Sequence, residues 1–173
     1  MQSFILAAVA SLTLTGCISA YSEVAETAPS STLAFLKGYT VGTGLARSSL
    51  QEYWIVEDQT CTNPQRAAWF TFANDPMELR RVPPDRRVSI AARTRFYEGA
   101  GGTSSGQPGA RVNIAECRSL AQFTPELGSA YTVVQTASPT DGCTFTVVNA
   151  ETGVSPPDLI IREPLACSDK ALP

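Results

Sequence analysis

Most of this chain is a series of short apolar and β-branched runs separated by polar turn residues, and in some of the runs apolar residues recur at every second position. The clearest case is residues 86–98, "RRVSIAARTRFYE". In an extended strand Val88, Ile90, Ala92, Thr94 and Phe96 share one face, and Arg87, Ser89, Ala91, Arg93, Arg95 and Tyr97 share the other. No window of about twelve residues carries an apolar stripe of helical period. Runs rich in Val, Ile, Thr, Phe, Tyr and Trp, bounded by Gly, Pro, Asn and Asp, predict strands at 32–39, 52–57, 67–73, 77–82, 87–97, 110–116, 120–123, 131–136, 143–148 and 159–162. Residues 65–68 could form one helical turn. Asp141-Gly142, between "YTVVQTA" and "CTFTVVNA", predicts a hairpin whose buried face carries Tyr131, Val133, Cys143, Phe145 and Val147. Further turns at 124–128 and 149–153 extend it into a meander of three or four antiparallel strands. Short strands at this spacing predict an all-β fold in a single domain, a sandwich or a barrel, and an antiparallel β-sandwich is the expectation taken forward.

The first residues break the pattern. From Phe4 to Leu14 the chain is apolar or small and carries no charge. A run of about eleven residues, at roughly 1.5 Å each, is too short to cross a bilayer as a helix. It fits the apolar region of a secretory signal peptide. The run ends in Leu14-Thr15-Gly16-Cys17, which resembles the lipobox of bacterial lipoproteins. The resemblance implies cleavage after Gly16 and a lipid on Cys17. Met1-Gln2-Ser3 departs from the usual start of such signals in having no Lys or Arg. Ile18 follows the cysteine where an Asp would mark retention in the inner membrane, so the resemblance implies lipid anchoring in the outer membrane of the cell envelope, facing the periplasm. Residues 1–16 are then a signal peptide. Residues 17–32, with the Ser/Ala/Thr/Glu-rich "ISAYSEVAETAPSST", read as the lipidated cysteine and a flexible tether. Residues 33–173 are the sandwich domain, which resembles the immunoglobulin-like and transthyretin-like sandwiches of envelope lipoproteins in architecture alone.

The anchor changes the cysteine arithmetic. Setting Cys17 aside leaves Cys61, Cys117, Cys143 and Cys167, an even number in a chain that reads as exported, and so two disulfides. Three pairings are open. Cys61–Cys117 with Cys143–Cys167 is favoured because the loops they close do not cross.

Composition then removes function classes. The chain has no histidine, so the usual general base near neutral pH and the usual triads are missing. With the cysteines spent on lipid and bridges, no thiolate nucleophile remains. Glu57 and Asp58 are neighbours that point apart in a strand, and nothing singles out Glu98 with Glu116 as a facing pair. No CxxC pair and no DxDxDG loop occurs, so neither metal nor other cofactor is expected. The formal net charge of −3 gives no case for nucleic acid. The glycine-rich 99–109 stretch, "GAGGTSSGQPG", lacks the Lys and helix start of a phosphate loop and reads as a mobile strand connection.

What remains is arginine. Arg80, Arg81, Arg86, Arg87, Arg93 and Arg95 are six of the thirteen basic residues. Arginine binds carboxylates and phosphates through two parallel hydrogen bonds and stacks on aromatic rings. Arg87, Arg93, Arg95 and Tyr97, on one strand face, are the candidate binding residues for an envelope protein or an anionic glycan. The competing reading is a solvated face paired internally with Asp75, Glu78 and Asp85. In "AAWFTFA", Trp69 points opposite to Phe70 and Phe72, so one of the two faces could be an exposed platform. The expectation is a non-enzymatic binding or assembly module held at a membrane. The alternatives are an inhibitor-type lipoprotein acting on an enzyme such as a lysozyme, and a structural lipoprotein subunit of a secretion apparatus.

Overall fold

The computed structural model describes residues 19–39, 47–56, 63–71, 76–99, 112–138 and 142–162. Nine strands account for most of them: β1 Ser31–Leu36, β2 Arg47–Val56, β3 Gln65–Phe70, β4 Met77–Val82, β5 Val88–Gly99, β6 Val112–Phe123, β7 Ala130–Ser138, β8 Gly142–Asn149 and β9 Ile160–Arg162. No helix occurs among the described residues. The strands form a four-stranded sheet ordered β4-β1-β7-β8 and a five-stranded sheet ordered β3-β2-β5-β6-β9. Every pairing is antiparallel except β1 with β7, which is parallel.

The two sheets pack face to face because their alternating apolar residues have nowhere else to go. Leu33, Phe35, Tyr131, Val133, Phe145 and Val147 come from one sheet, and Tyr53, Ile90, Ala92, Phe96, Ala121 and Phe123 from the other, all buried in one cluster. Aromatic pairs cross the interface, with Phe35 5.1 Å and Phe145 6.3 Å from the Tyr53 ring. The inward alternation predicted for 88–96 and for the β7–β8 hairpin is observed.

The middle of this interface is polar. Gln51 Nε2 donates to Thr94 Oγ1 at 2.8 Å and to the Gln135 carbonyl at 2.7 Å. Thr94 Oγ1 donates to Gln135 Oε1, and Gln135 Nε2 donates to Ser119 Oγ. The Tyr53 hydroxyl donates to the Leu36 carbonyl and accepts from the Gln135 amide. Buried polar groups are tolerable only when paired in this way, and such a network fixes one sheet against the other. Gly38 belongs to the same locus. Its amide donates to Gln51 Oε1, and a Cβ there would stand 2.4 Å from the Gln135 carbonyl oxygen. Gly38→Ala is therefore expected to force β1 away from β7 and to cost ~1–3 kcal/mol in urea unfolding, in the range of overpacked cores. A change below about 0.5 kcal/mol, the usual size at an uncrowded surface site, would mean this close approach is absent.

Four expectations change. The runs at 110–116 and 120–123 are one strand, β6, and residues 65–68 are the start of β3 rather than a helical turn. The expected meander stops at the β7–β8 hairpin, because β6 lies in the other sheet and the second neighbour of β7 is β1. The disulfide found among the described residues is Cys117–Cys143, not either favoured pairing. Loop economy was the wrong criterion: β6 and β8 are in opposite sheets and bring these two Cα atoms to 5.9 Å. Cys61, Cys167, Cys17 and residues 100–109 of the glycine-rich stretch lie outside the described residues.

The stretch expected as a tether follows the edge of the domain from Ser19 onward. Ala20 bridges Arg66 in parallel, the Tyr21 amide donates to the Arg66 carbonyl, and the Arg66 amide donates to the Ser19 carbonyl. Further along, Arg81 on β4 donates to the carbonyls of Glu26 and Ala28 and to Ser30 Oγ. Residues 19–30 thus run from the outer edge of β3 to β4, two edge strands that would otherwise offer unpaired backbone to other chains. Glu78 and Arg80, paired with each other on β4, add charge at the same edge.

Candidate binding site

The expected arginine face does not form as a unit. β2 lies beside β5 with Glu52 opposite Arg93, and β6 lies on the other side with Arg118 opposite Arg93 and Glu116 opposite Arg95. Arg93 is buried. Its Nη2 donates to Glu52 Oε2 at 2.8 Å, its Nε stands 3.9 Å from Glu116 Oε1, and its guanidinium lies 4.9 Å from the centre of the Trp54 ring. Arg95 is half-buried, 3.7 Å from Glu116, and Arg118 donates to that carboxylate at 2.7 Å. Burial pushes the Glu116 carboxyl up, but the hydrogen bond and charge of Arg118, with Arg95 and Arg93 beyond, hold it below its ordinary value. Arg93 and Arg95 are therefore committed to carboxylates of their own sheet. Docking of an acidic partner by the three arginines together would need all of them exposed and unpaired, and neither Arg93 nor Arg95 is. Among the described residues the partners are Glu52 and Glu116, and Asp85 is not one of them; of the carboxylates near in sequence, Glu78 does serve, pairing with Arg80, and Asp75 lies outside the described residues. The Tyr97 side chain lies outside the described residues.

Arg87 has a different fate. It lies in the Val82–Val88 connection, where Pro83 and Pro84 force a turn and Asp85 adopts a positive φ of 55°. The Asp85 amide is tied to the Pro125 carbonyl. This turn puts Arg86 and Arg87, both exposed, on the rim of a cavity of about 380 Å³ at one end of the sandwich. The end of β2 gives it Ile55 and Val56, the start of β3 gives Gln65, and the edge segment gives Tyr21 and Ser22. Its floor is apolar, with Val82, Pro83 and Val88 beside the β2 residues. Ser22 is held there by its amide, which donates to Gln65 Oε1. Burial pushes the Tyr21 hydroxyl above its ordinary pKa, with Glu23 adding to the shift, so this phenol stays neutral at any physiological pH. Among the described residues neither Arg86 nor Arg87 has an ion pair.

The opposite corner of the same end carries the other sign. A second cavity of about 410 Å³ is lined by Glu126 and Asp158 together with Thr124, Tyr131, Asn149 and Thr152. Trp69, on the outward face of β3, is 44 % exposed while Phe70 is buried, which settles the face left open by the sequence. Arg66 stacks over it at 5.7 Å.

Sequence reasoning found Arg87 and missed its partners in the cavity. Arg86 was visible as a basic residue but not as a rim residue. Tyr21, Ser22 and Gln65 gave no signal, because they reach the cavity only through the bridge between the edge segment and β3. The arrangement is an apolar floor, two exposed guanidinium groups on the rim that have no ion pair among the described residues, and backbone held by turns. It defines the molecule as a two-sheet all-β protein with a basic pocket at one end. Compared with known proteins, the chain matches no protein family, no curated protein and no solved structure.

Proposed function

We propose that this chain is a lipid-anchored cell-envelope protein that binds rather than catalyses, and that it recognises an anionic group through the pocket at Arg86 and Arg87. The single observation that carries the binding site is the contrast among the arginines. Arg93, Arg95 and Arg118 face carboxylates, whereas Arg86 and Arg87 stand exposed beside an apolar floor and, among the described residues, no carboxylate is paired to them. Two guanidinium groups suit a carboxylate or phosphate, and the floor suits an apolar neighbour of that group. The absence of histidine from the sequence weighs against catalysis. An envelope protein or anionic glycan remains the partner class. The reading keeps the sandwich in the immunoglobulin-like or transthyretin-like group, supported by the two-sheet layout. It also keeps a second disulfide: with Cys117–Cys143 formed, Cys61 and Cys167 are left for it.

Anchoring has a direct test. Cys17→Ser is expected to move the protein out of the detergent-extracted membrane fraction and to abolish palmitate labelling. Intact mass and non-reducing peptide mapping of the extracted wild type should show acyl chains on Cys17 and one peptide joined through Cys61 and Cys167. A serine form that still labels with palmitate would end the lipoprotein reading.

A further inference from the structure

We infer that the anionic group taken by the Arg86–Arg87 pocket is the phosphate of a net-anionic phospholipid headgroup, one with no cationic group beside its phosphate, in the same membrane that holds the anchor, so that the domain lies against the bilayer instead of standing off it. The inference rests on the lipid-anchored reading above and goes beyond it: the pocket is given to a lipid headgroup in place of an envelope protein or anionic glycan, and the orientation of the domain is added.

Chain geometry carries the first half. A lipid on Cys17 would be followed by a single residue, Ile18, before Ser19 is hydrogen-bonded to Arg66. Successive Cα atoms are about 3.8 Å apart, so the Cys17 Cα stands within about 7.6 Å of the Ser19 Cα. Ser19–Tyr21 runs parallel to β3 where that strand begins. Ser19, two residues after that cysteine, is thus held at the end of the sandwich where Gln65, Val56 and the Val82–Val88 turn lie. Tyr21 and Ser22, four and five positions after the cysteine, already line the pocket. A domain with no slack between its anchor and its fold cannot hold that end far from the headgroups.

Charge carries the second half. The basic rim and the acidic cavity sit at opposite corners of one end, one with Arg86 and Arg87, the other with Glu126 and Asp158. An anionic surface attracts the first and repels the second, so it tilts the domain onto the arginine corner. Asp85 lies in the same turn and Glu23 follows Ser22, but Glu23 is 3.8 Å from Arg80, so the exposed charges on the rim itself are those of Arg86 and Arg87. The apolar floor beneath the arginines suits the glycerol and first methylenes of a lipid better than a free ion. Tyr21, half-buried with a neutral hydroxyl, is the kind of side chain that settles at a membrane interface.

The test uses the lipidated wild-type protein in nanodiscs, its acyl mass checked beforehand so that a failed anchor is seen separately from failed docking. Amide hydrogen exchange of residues 19–22 and 83–88 is followed in phosphatidylglycerol and in phosphatidylcholine discs. Exchange should be slower in phosphatidylglycerol only, and 0.5 M salt should remove the difference, since surface charge is screened within a few Å at that ionic strength. The Arg86→Gln/Arg87→Gln variant should lose the docked state by roughly 30-fold, the sum of two surface arginines, while keeping its unfolding midpoint. Equal protection in both lipids, or an unchanged double variant, overturns the inference. So does inorganic phosphate that reproduces the slowing in phosphatidylcholine discs, because the pocket would then be a site for a soluble anion.

Discussion

Arg93→Ala should be among the most destabilising single substitutions in the protein, at about 3–5 kcal/mol in denaturant unfolding at neutral pH. Both members of the Arg93–Glu52 pair are nearly out of solvent, at 3 % and 6 % exposure, and 2.8 Å apart. Removing the guanidinium strands a carboxylate inside the sheet face and takes away the cation over Trp54. The loss comes from that stranded charge more than from the pair itself. A double variant, Glu52→Leu with Arg93→Met, is accordingly expected to be far less harmful than Arg93→Ala alone. Arg87→Ala, one turn away in sequence but exposed, should stay within about 0.5 kcal/mol of wild type. Equal costs at Arg93 and Arg87 would mean that the two arginines do not differ in the way described.

Loss of the Cys117–Cys143 bridge should be of similar size. The cysteines are 26 residues apart and tie β6 of one sheet to β8 of the other. Chain-entropy reasoning for a loop of that length gives about 3.5 kcal/mol, through the freedom the unfolded chain regains. The paired Cys117→Ser/Cys143→Ser variant should have a lower urea midpoint and a somewhat steeper slope, because its unfolded chain is less compact. A midpoint equal to wild type would show that the bridge adds nothing to a sandwich already locked by the Gln51–Thr94–Gln135–Ser119 network.

How far the sequence could lead depended on whether the deciding interaction was local. Alternation at Val88, Ile90, Ala92 and Phe96 is local, and so is the Asp141-Gly142 turn; both predicted their elements. β6 was cut in two because Cys117, Arg118 and Ser119 interrupt its apolar rhythm. Each has a place found only in three dimensions: a bridge to β8, an ion pair with Glu116, and a hydrogen bond from Gln135. The first half of β2 was hidden for the same reason, since Gln51 faces inward into a polar core. The arginines show the limit most clearly. Arg87 and Arg93 look alike in sequence. What separates them is Glu52, 41 positions before Arg93 and delivered by the neighbouring strand.

The parallel pairing of β1 with β7 sets an order of events. β1 can find β4 early, but its other neighbour begins at Ala130, which sits opposite Thr32. Nearly one hundred residues must be made, or carried across a membrane, before the four-stranded sheet can close. Contacts of such sequence separation place a domain among the slower folders, on the order of milliseconds to seconds. Until then Leu33 and Phe35 have no core to enter, and the half-built chain needs something else to shield them. Under the export proposed above, assembly of this sheet would belong to the far side of the membrane, after β7 has arrived.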